Sequence, residues 1–109
     1  MKDYQNFVEV LFKKMETPAA TLMHASVGLS GETGELLDAC KKQWVYGKPL
    51  DVENVIEELG DIRFYYQAAL NHLGVTDEQV IAANRLKLEK RYPDLVYKDE
   101  HAIARLDKE

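Results

Sequence analysis

The sequence predicts an all-α fold, an antiparallel helix bundle of about four helices. Apolar residues recur at helical spacing in several stretches separated by breaks rich in Pro and Gly. Alternation of apolar and polar residues, the mark of a half-buried strand, is absent from the sequence. The breaks are short, as connections between neighbouring helices of a bundle are.

Residues 3–15 form the first expected helix, with Phe7, Val10, Leu11 and Met15 on its apolar face. Thr17-Pro18 marks a restart, Thr17 as N-cap and Pro18 in the first turn, where its missing N–H costs nothing. The second helix is expected over residues 18–45, stopping near Gly47-Lys48-Pro49. Its stripe is Leu22, Ala25, Leu29, Leu36 and Cys40, with Thr33 and Trp44 at the margin. Gly28, Gly31 and Gly34 each cost about 1 kcal/mol against alanine inside a helix. Either a loop interrupts the helix there, or small residues leave room for a neighbouring backbone, an ion or a ligand. The third helix runs over residues 51–73 and stops at Gly74. Val52, Val55, Ile56, Leu59, Ile62, Tyr66, Ala69, Leu70 and Leu73 make its main apolar face, and Phe64, Tyr65 and Ala68 a weaker strip. Two apolar sides imply partners on two sides, one of them in another subunit. A fourth helix follows over residues 76–92, opened by capping-box spacing between Thr76 and Gln79 and ended by Pro93. Residues 94–109 are charged, with apolar spots at Leu95, Val96, Ile103 and Leu106, and read as an arm, a short helix or a loose end.

At 109 residues the chain is expected to be a single helical domain, residues 1–109. A formal charge of -5 argues against a protein whose first task is to bind a nucleic acid polymer. The apolar runs are too short to span a bilayer, and Met1-Lys2-Asp3 leads into no signal-peptide core, so a soluble, cytoplasmic protein with no membrane partner is expected. The lone Cys40 lies on the apolar face of the second helix and reads as a small core residue.

The chemistry concentrates in Gly31-Glu32-Thr33-Gly34-Glu35 and Glu57-Glu58-Leu59-Gly60-Asp61. On helices, Glu32 and Glu35 sit one turn apart with Cβ atoms roughly 5–6 Å from each other, and so do Glu58 and Asp61. Like charges at that spacing weaken a helix by a few tenths of a kcal/mol, so something positive should compensate. One explanation is plain surface charge, with Lys41, Lys42 and Arg63 as partners. A second is a di-iron bundle, which uses Glu-x-x-His pairs; His24, His72 and His101 do not stand three residues after any glutamate. The third is an oxygen-only site for a hard divalent cation, Mg²⁺ or Mn²⁺, serving attack of water on a phosphoanhydride. Asn84, Lys87 and Arg91 form a narrow polar stripe on the fourth helix, either a solvated face or donors for substrate phosphates.

Gly31-Glu-Thr-Gly-Glu-Leu-Leu, then Glu57-Glu-Leu-Gly-Asp-Ile, then Asn84-Arg-Leu-Lys-Leu-Glu-Lys-Arg-Tyr-Pro resembles the MazG-like nucleotide pyrophosphohydrolases, over roughly residues 24–94. The resemblance implies an all-α fold and assembly as a homodimer or homotetramer. It also implies Mg²⁺-dependent hydrolysis of nucleoside triphosphates, (d)NTP to (d)NMP and pyrophosphate, in nucleotide-pool sanitation or adjustment. It makes Glu32, Glu35, Glu58 and Asp61 the metal ligands and catalytic acids, with Glu35 also able to orient or deprotonate the attacking water. Asn84, Lys87 and Arg91 match the polar stripe that binds phosphates. Trp44, Tyr46 and Tyr65 are candidates for stacking on a base or ordinary core and interface aromatics, and His24 is a base-contact candidate by position. The competing function is a catalytically silent helical dimer acting as an adaptor or nucleotide sensor.

Overall fold

The computed structural model describes residues 2–97 and 99–105, and among them the chain is all-α. Five helices follow in order: α1 (Lys2–Leu11), α2 (Pro18–Trp44), α3 (Val52–Leu73), α4 (Asp77–Arg91) and α5 (Asp99–Ala104). They divide between two compact units, Met1–Gly74 and Val75–Glu109.

In the first unit α2 and α1 both pack on α3. The helix boundaries follow local capping chemistry. Thr17 accepts a hydrogen bond from Ala20 N at the start of α2, with Pro18 in its first turn. Asp51 accepts from Asn54 N at the start of α3, and Gly74 ends that helix in the left-handed conformation at φ 68°. The glycine-rich stretch does not interrupt α2, so the loop alternative fails.

Residues 3–15 are not all helical, because α1 stops at Leu11. Side chains of α2 take over the backbone groups that follow. Thr21 Oγ1 accepts from Met15 N at 2.9 Å, and the ring Nδ1 of His24 donates to the Lys13 carbonyl at 3.0 Å. The buried side of α1 is also not the one expected. Phe7, Val10, Leu11 and Met15 are exposed, whereas Val8 and Phe12 are buried and Tyr4 packs against them. Tyr4, Val8 and Phe12 are spaced by four residues and form one row along the helix side.

That row meets Ala25 of α2 and Phe64, Tyr65, Ala68 and Ala69 of α3 to form the core. The strip of α3 that seemed the weaker is therefore the inner one. Val52, Ile56, Leu59 and Leu73, from the expected main face, are exposed, although Leu70 is buried. Cys40 is exposed too, which overturns its reading as a core residue. On α2 the neighbouring Ala39 is buried instead. A polar ladder fastens α3 to α1: Arg63 Nη1 donates to Gln67 Oε1, Gln67 Nε2 to Asn71 Oδ1, and Asn71 Nδ2 to the Gln5 carbonyl.

In the second unit Thr76 and Gln79 close the expected capping box, Thr76 Oγ1 accepting from Gln79 N and Gln79 Oε1 from Thr76 N. The α4 helix ends at Arg91, two residues before Pro93. Residues 99–104 form the short α5, whose His101 ring lies 6.1 Å from that of Tyr92. Leu106, one of the apolar spots of the sequence, lies outside the described residues.

Candidate functional site

Along α2 the residues Thr21, Ala25, Gly28 and Glu32 are spaced four, three and four apart; along α3 Glu58, Asp61, Tyr65 and Ala68 are spaced three, four and three. Both spacings keep a row on one side of a helix. Gly28 lies against Tyr65, and Glu32 lies with Glu58 and Asp61, so the helices run antiparallel and the rows face each other. One end of the seam is apolar and tightly closed, with Ala25 and Ala68 buried. The other end is acidic.

There Glu32, Glu58 and Asp61 each present a carboxylate oxygen, all within 4.8 Å of one another. Glu58 is only 8 % exposed. Its Oε2 is shielded and has no hydrogen-bond partner among the described residues. Burial pushes the Glu58 carboxyl above its ordinary 4.5; the charge of Glu35 adds to this, followed by a hydrogen bond with Glu32 and the charges of Glu32 and Asp61. Glu35 itself is exposed and outside the group of three, yet its charge acts on Glu58.

The cations proposed as plain partners are not there. Arg63 is turned to the rings of Tyr4 and Tyr66, 5.3 Å from each centroid, and to Gln67. An ion pair joins Lys14 to Glu9 at 2.6 Å and involves neither α2 nor α3. A buried acceptor without a donor, in a set of three carboxylates, fits a hard divalent cation: such ions take oxygen ligands and stabilise the charged form that burial disfavours. Glu32, Glu58 and Asp61 could hold it, with Glu35 beside them.

The remaining candidates are distributed as follows. His24 is half-buried, stacked on Phe12 with centroids 4.6 Å apart, and its Nδ1 is occupied by Lys13 O. Tyr65 is half-buried against Gly28. Trp44, at the end of α2, is 89 % exposed, so it is not a core aromatic of this chain. Tyr46 is exposed as well. Asn84, Lys87 and Arg91 lie on α4, in the second unit.

The packing of Gly28 against Tyr65 is not apparent from the sequence, in which Gly28 fits a loop as well as a close approach. The small residues Ala25 and Gly28 continuing the row of Glu32 were the available signal.

The family model described as the MazG nucleotide pyrophosphohydrolase domain matches residues 20–96, well over half of the 109-residue chain. No curated protein and no solved structure matches.

Proposed function

Since this chain belongs to the MazG nucleotide pyrophosphohydrolase family, we propose that it hydrolyses nucleoside triphosphates, (d)NTP to (d)NMP and pyrophosphate, with Mg²⁺ or, in its place, Mn²⁺. The observation that carries this reading is the shielded, unpartnered Oε2 of Glu58 facing two further carboxylates. A bound divalent ion supplies polarisation of phosphate oxygens and a lowered pKa for water.

The chain's own residues do the rest. Glu32, Glu58 and Asp61 would hold the ion, with Glu35 beside them. Glu35, exposed at the edge of the cluster, accepts the proton of the attacking water as the linkage between the α and β phosphorus atoms breaks. Asn84, Lys87 and Arg91 donate to the phosphate oxygens and hold their charge. Trp44 offers an open indole face to the base. His24 and Tyr65 are secondary base-contact candidates, since both already pack in the core. Residues 1–109 act as one domain in this reading. The exposed α3 strip of Val52, Ile56, Leu59 and Leu73 is covered by a second copy, in a homodimer or homotetramer. No described helix is long and apolar enough to cross a membrane, and a cytoplasmic nucleotide pool is the proposed setting.

The test is pyrophosphate release from a panel of dNTPs and NTPs, with and without Mg²⁺, by the parent, Glu35→Gln and Asp61→Asn. Metal-dependent release by the parent and its loss in both variants are expected. Absence of turnover across the panel, or full turnover in both variants, overturns the reading. Nucleotide binding without turnover would support the silent sensor instead.

A further inference from the structure

A Cβ built on Gly28 would lie 2.3 Å from Tyr65 Cε1, 2.4 Å from Cδ1 and 2.6 Å from Cζ. These are atoms of a rigid ring, and the ring is hemmed in. Phe64 stands edge-on to it at 5.3 Å, and Phe12 and His24 each lie 6.4 Å away between centroids. Tyr65 thus has nowhere to turn without displacing Phe12, His24 or Phe64. Nothing lies within 4 Å of the Cβ positions of Gly31, Gly34 and Gly60, so Gly28 alone among the glycines of α2 and α3 is required by contact.

Glu32 stands one turn beyond Gly28 on α2, and Asp61 one turn before Tyr65 on α3. The separation of the two helices at the ring therefore carries over to the separation of the carboxylates. We propose that Gly28 and Tyr65 are positioning residues that set the span from Glu32 to Glu58 and Asp61, and thereby favour Mg²⁺ over the larger Ca²⁺. Mg²⁺ demands near-ideal octahedral geometry with oxygens at about 2.0–2.1 Å, whereas Ca²⁺ accepts a looser set at about 2.3–2.6 Å. Taking a 2.3 Å approach out to an ordinary 3.4 Å contact needs a displacement of about 1 Å, which a loose Ca²⁺ set absorbs more readily than a near-octahedral Mg²⁺ set. The inference rests on the reading of the acidic cluster as a divalent-metal centre.

Calorimetric titration of the full chain with Mg²⁺ and with Ca²⁺, in the absence of nucleotide, tests it. Gly28→Ala is expected to weaken Mg²⁺ binding about tenfold or more, the scale of losses when groups supporting metal ligands are changed, with much less effect on Ca²⁺. Tyr65→Phe keeps the ring and the parent's preference. Tyr65→Ala removes the spacer and lowers the preference, and adding Gly28→Ala to it costs nothing further, because the ring that met the new methyl is gone. Overpacking against the ring is expected to cost Gly28→Ala stability despite alanine's preference for a helix, and the paired titrations separate the two effects, because destabilisation alone weakens Mg²⁺ and Ca²⁺ binding alike. A parent that binds neither cation removes the metal centre and this inference with it. A parent that binds Mg²⁺, with the Mg²⁺ to Ca²⁺ ratio unchanged in Gly28→Ala or in Tyr65→Ala, overturns the positioning role alone. So does an equal penalty for Gly28→Ala in the presence and absence of the Tyr65 ring.

Discussion

Replacing Glu58 by Gln should move stability in opposite directions with and without metal. In the metal-free protein the Glu58 carboxyl titrates above 4.5, because of burial first and then the negative charges of Glu35, Glu32 and Asp61. A group whose folded pKa is raised contributes stability that is complete below its unfolded pKa and is lost as pH rises through the folded value. The metal-free parent should therefore lose stability on passing upward from about pH 4.5 through the raised pKa, above which it carries a buried, repelled charge. Glutamine has the same shape and no charge. Metal-free Glu58→Gln should melt above the parent at pH values above this titration and lack this part of the pH dependence.

Metal reverses the order. A ligand at 100 times its Kd stabilises the folded state by about 2.7 kcal/mol. For a chain of 109 residues, at about 2.1 cal/mol/K of unfolding entropy per residue, that raises Tm by about 12 °C. If loss of one of the three clustered carboxylates weakens binding a hundredfold, the same metal concentration stabilises the variant by about 0.4 kcal/mol, or about 2 °C. Thermal unfolding followed by circular dichroism, at several pH values with chelator or with Mg²⁺ or Mn²⁺, reads both effects. A metal-free variant that melts below the parent at every pH above this titration would refute the reasoning, because it would mean that the Glu58 charge is stabilised by a partner. Equal metal shifts in parent and variant would refute it as well.

Two further outcomes follow from the proposed roles. Lys87→Ala should raise KM for the triphosphate about tenfold or more, the lower end for a lost hydrogen bond to a charged group, and lower kcat much less if the contact is equally strong in ground and transition states; a pure kcat loss contradicts its assignment to phosphate binding. Ile56→Lys, in the middle of the exposed strip of α3, should reduce the mass seen by light scattering to that of one chain, and an unchanged oligomer would place the interface elsewhere.

What the sequence made legible was local. Thr17, Asp51, Gly74 and Thr76 mark helix ends through bonds spanning a few residues, and each acts as its residue type predicts. Helical periodicity likewise placed Glu32, Glu58 and Asp61 where facing helices could unite them. Which apolar stripe faces inward was not legible, because α3 has two and periodicity ranks them by hydrophobicity alone. The inner one is marked by small residues, Ala25, Gly28 and Ala68, which allow close approach rather than adding apolar area. The early end of α1 depends on His24 and Thr21, whose bonds to Lys13 and Met15 exist only once α2 has docked. The exposure of Cys40 has the same origin: it lies on the stripe favoured by composition, while Ala39 lies on the one closed by packing.

The two ends of the α2–α3 seam impose opposing demands. Close packing of Ala25 on α2 and Ala68 on α3 against the aromatic core draws the helices together, and the same approach forces Glu32, Glu58 and Asp61 into one small volume. A sequence selected for stability alone would place a cation there, and Arg63 is only two residues from Asp61. Its guanidinium is instead held by Tyr4, Tyr66 and the Gln67 ladder, which leaves the Glu58 carboxyl without a donor at Oε2. Folds leave buried polar groups without partners chiefly at functional or strained places, and the acidic end of this seam is one of these. Because the arginine at hand is committed to the joint between α1 and α3, the proposed function leaves neutralisation of the acids to an ion from solution. On that proposal, the strength of core packing is what keeps Glu32, Glu58 and Asp61 close enough to recruit it.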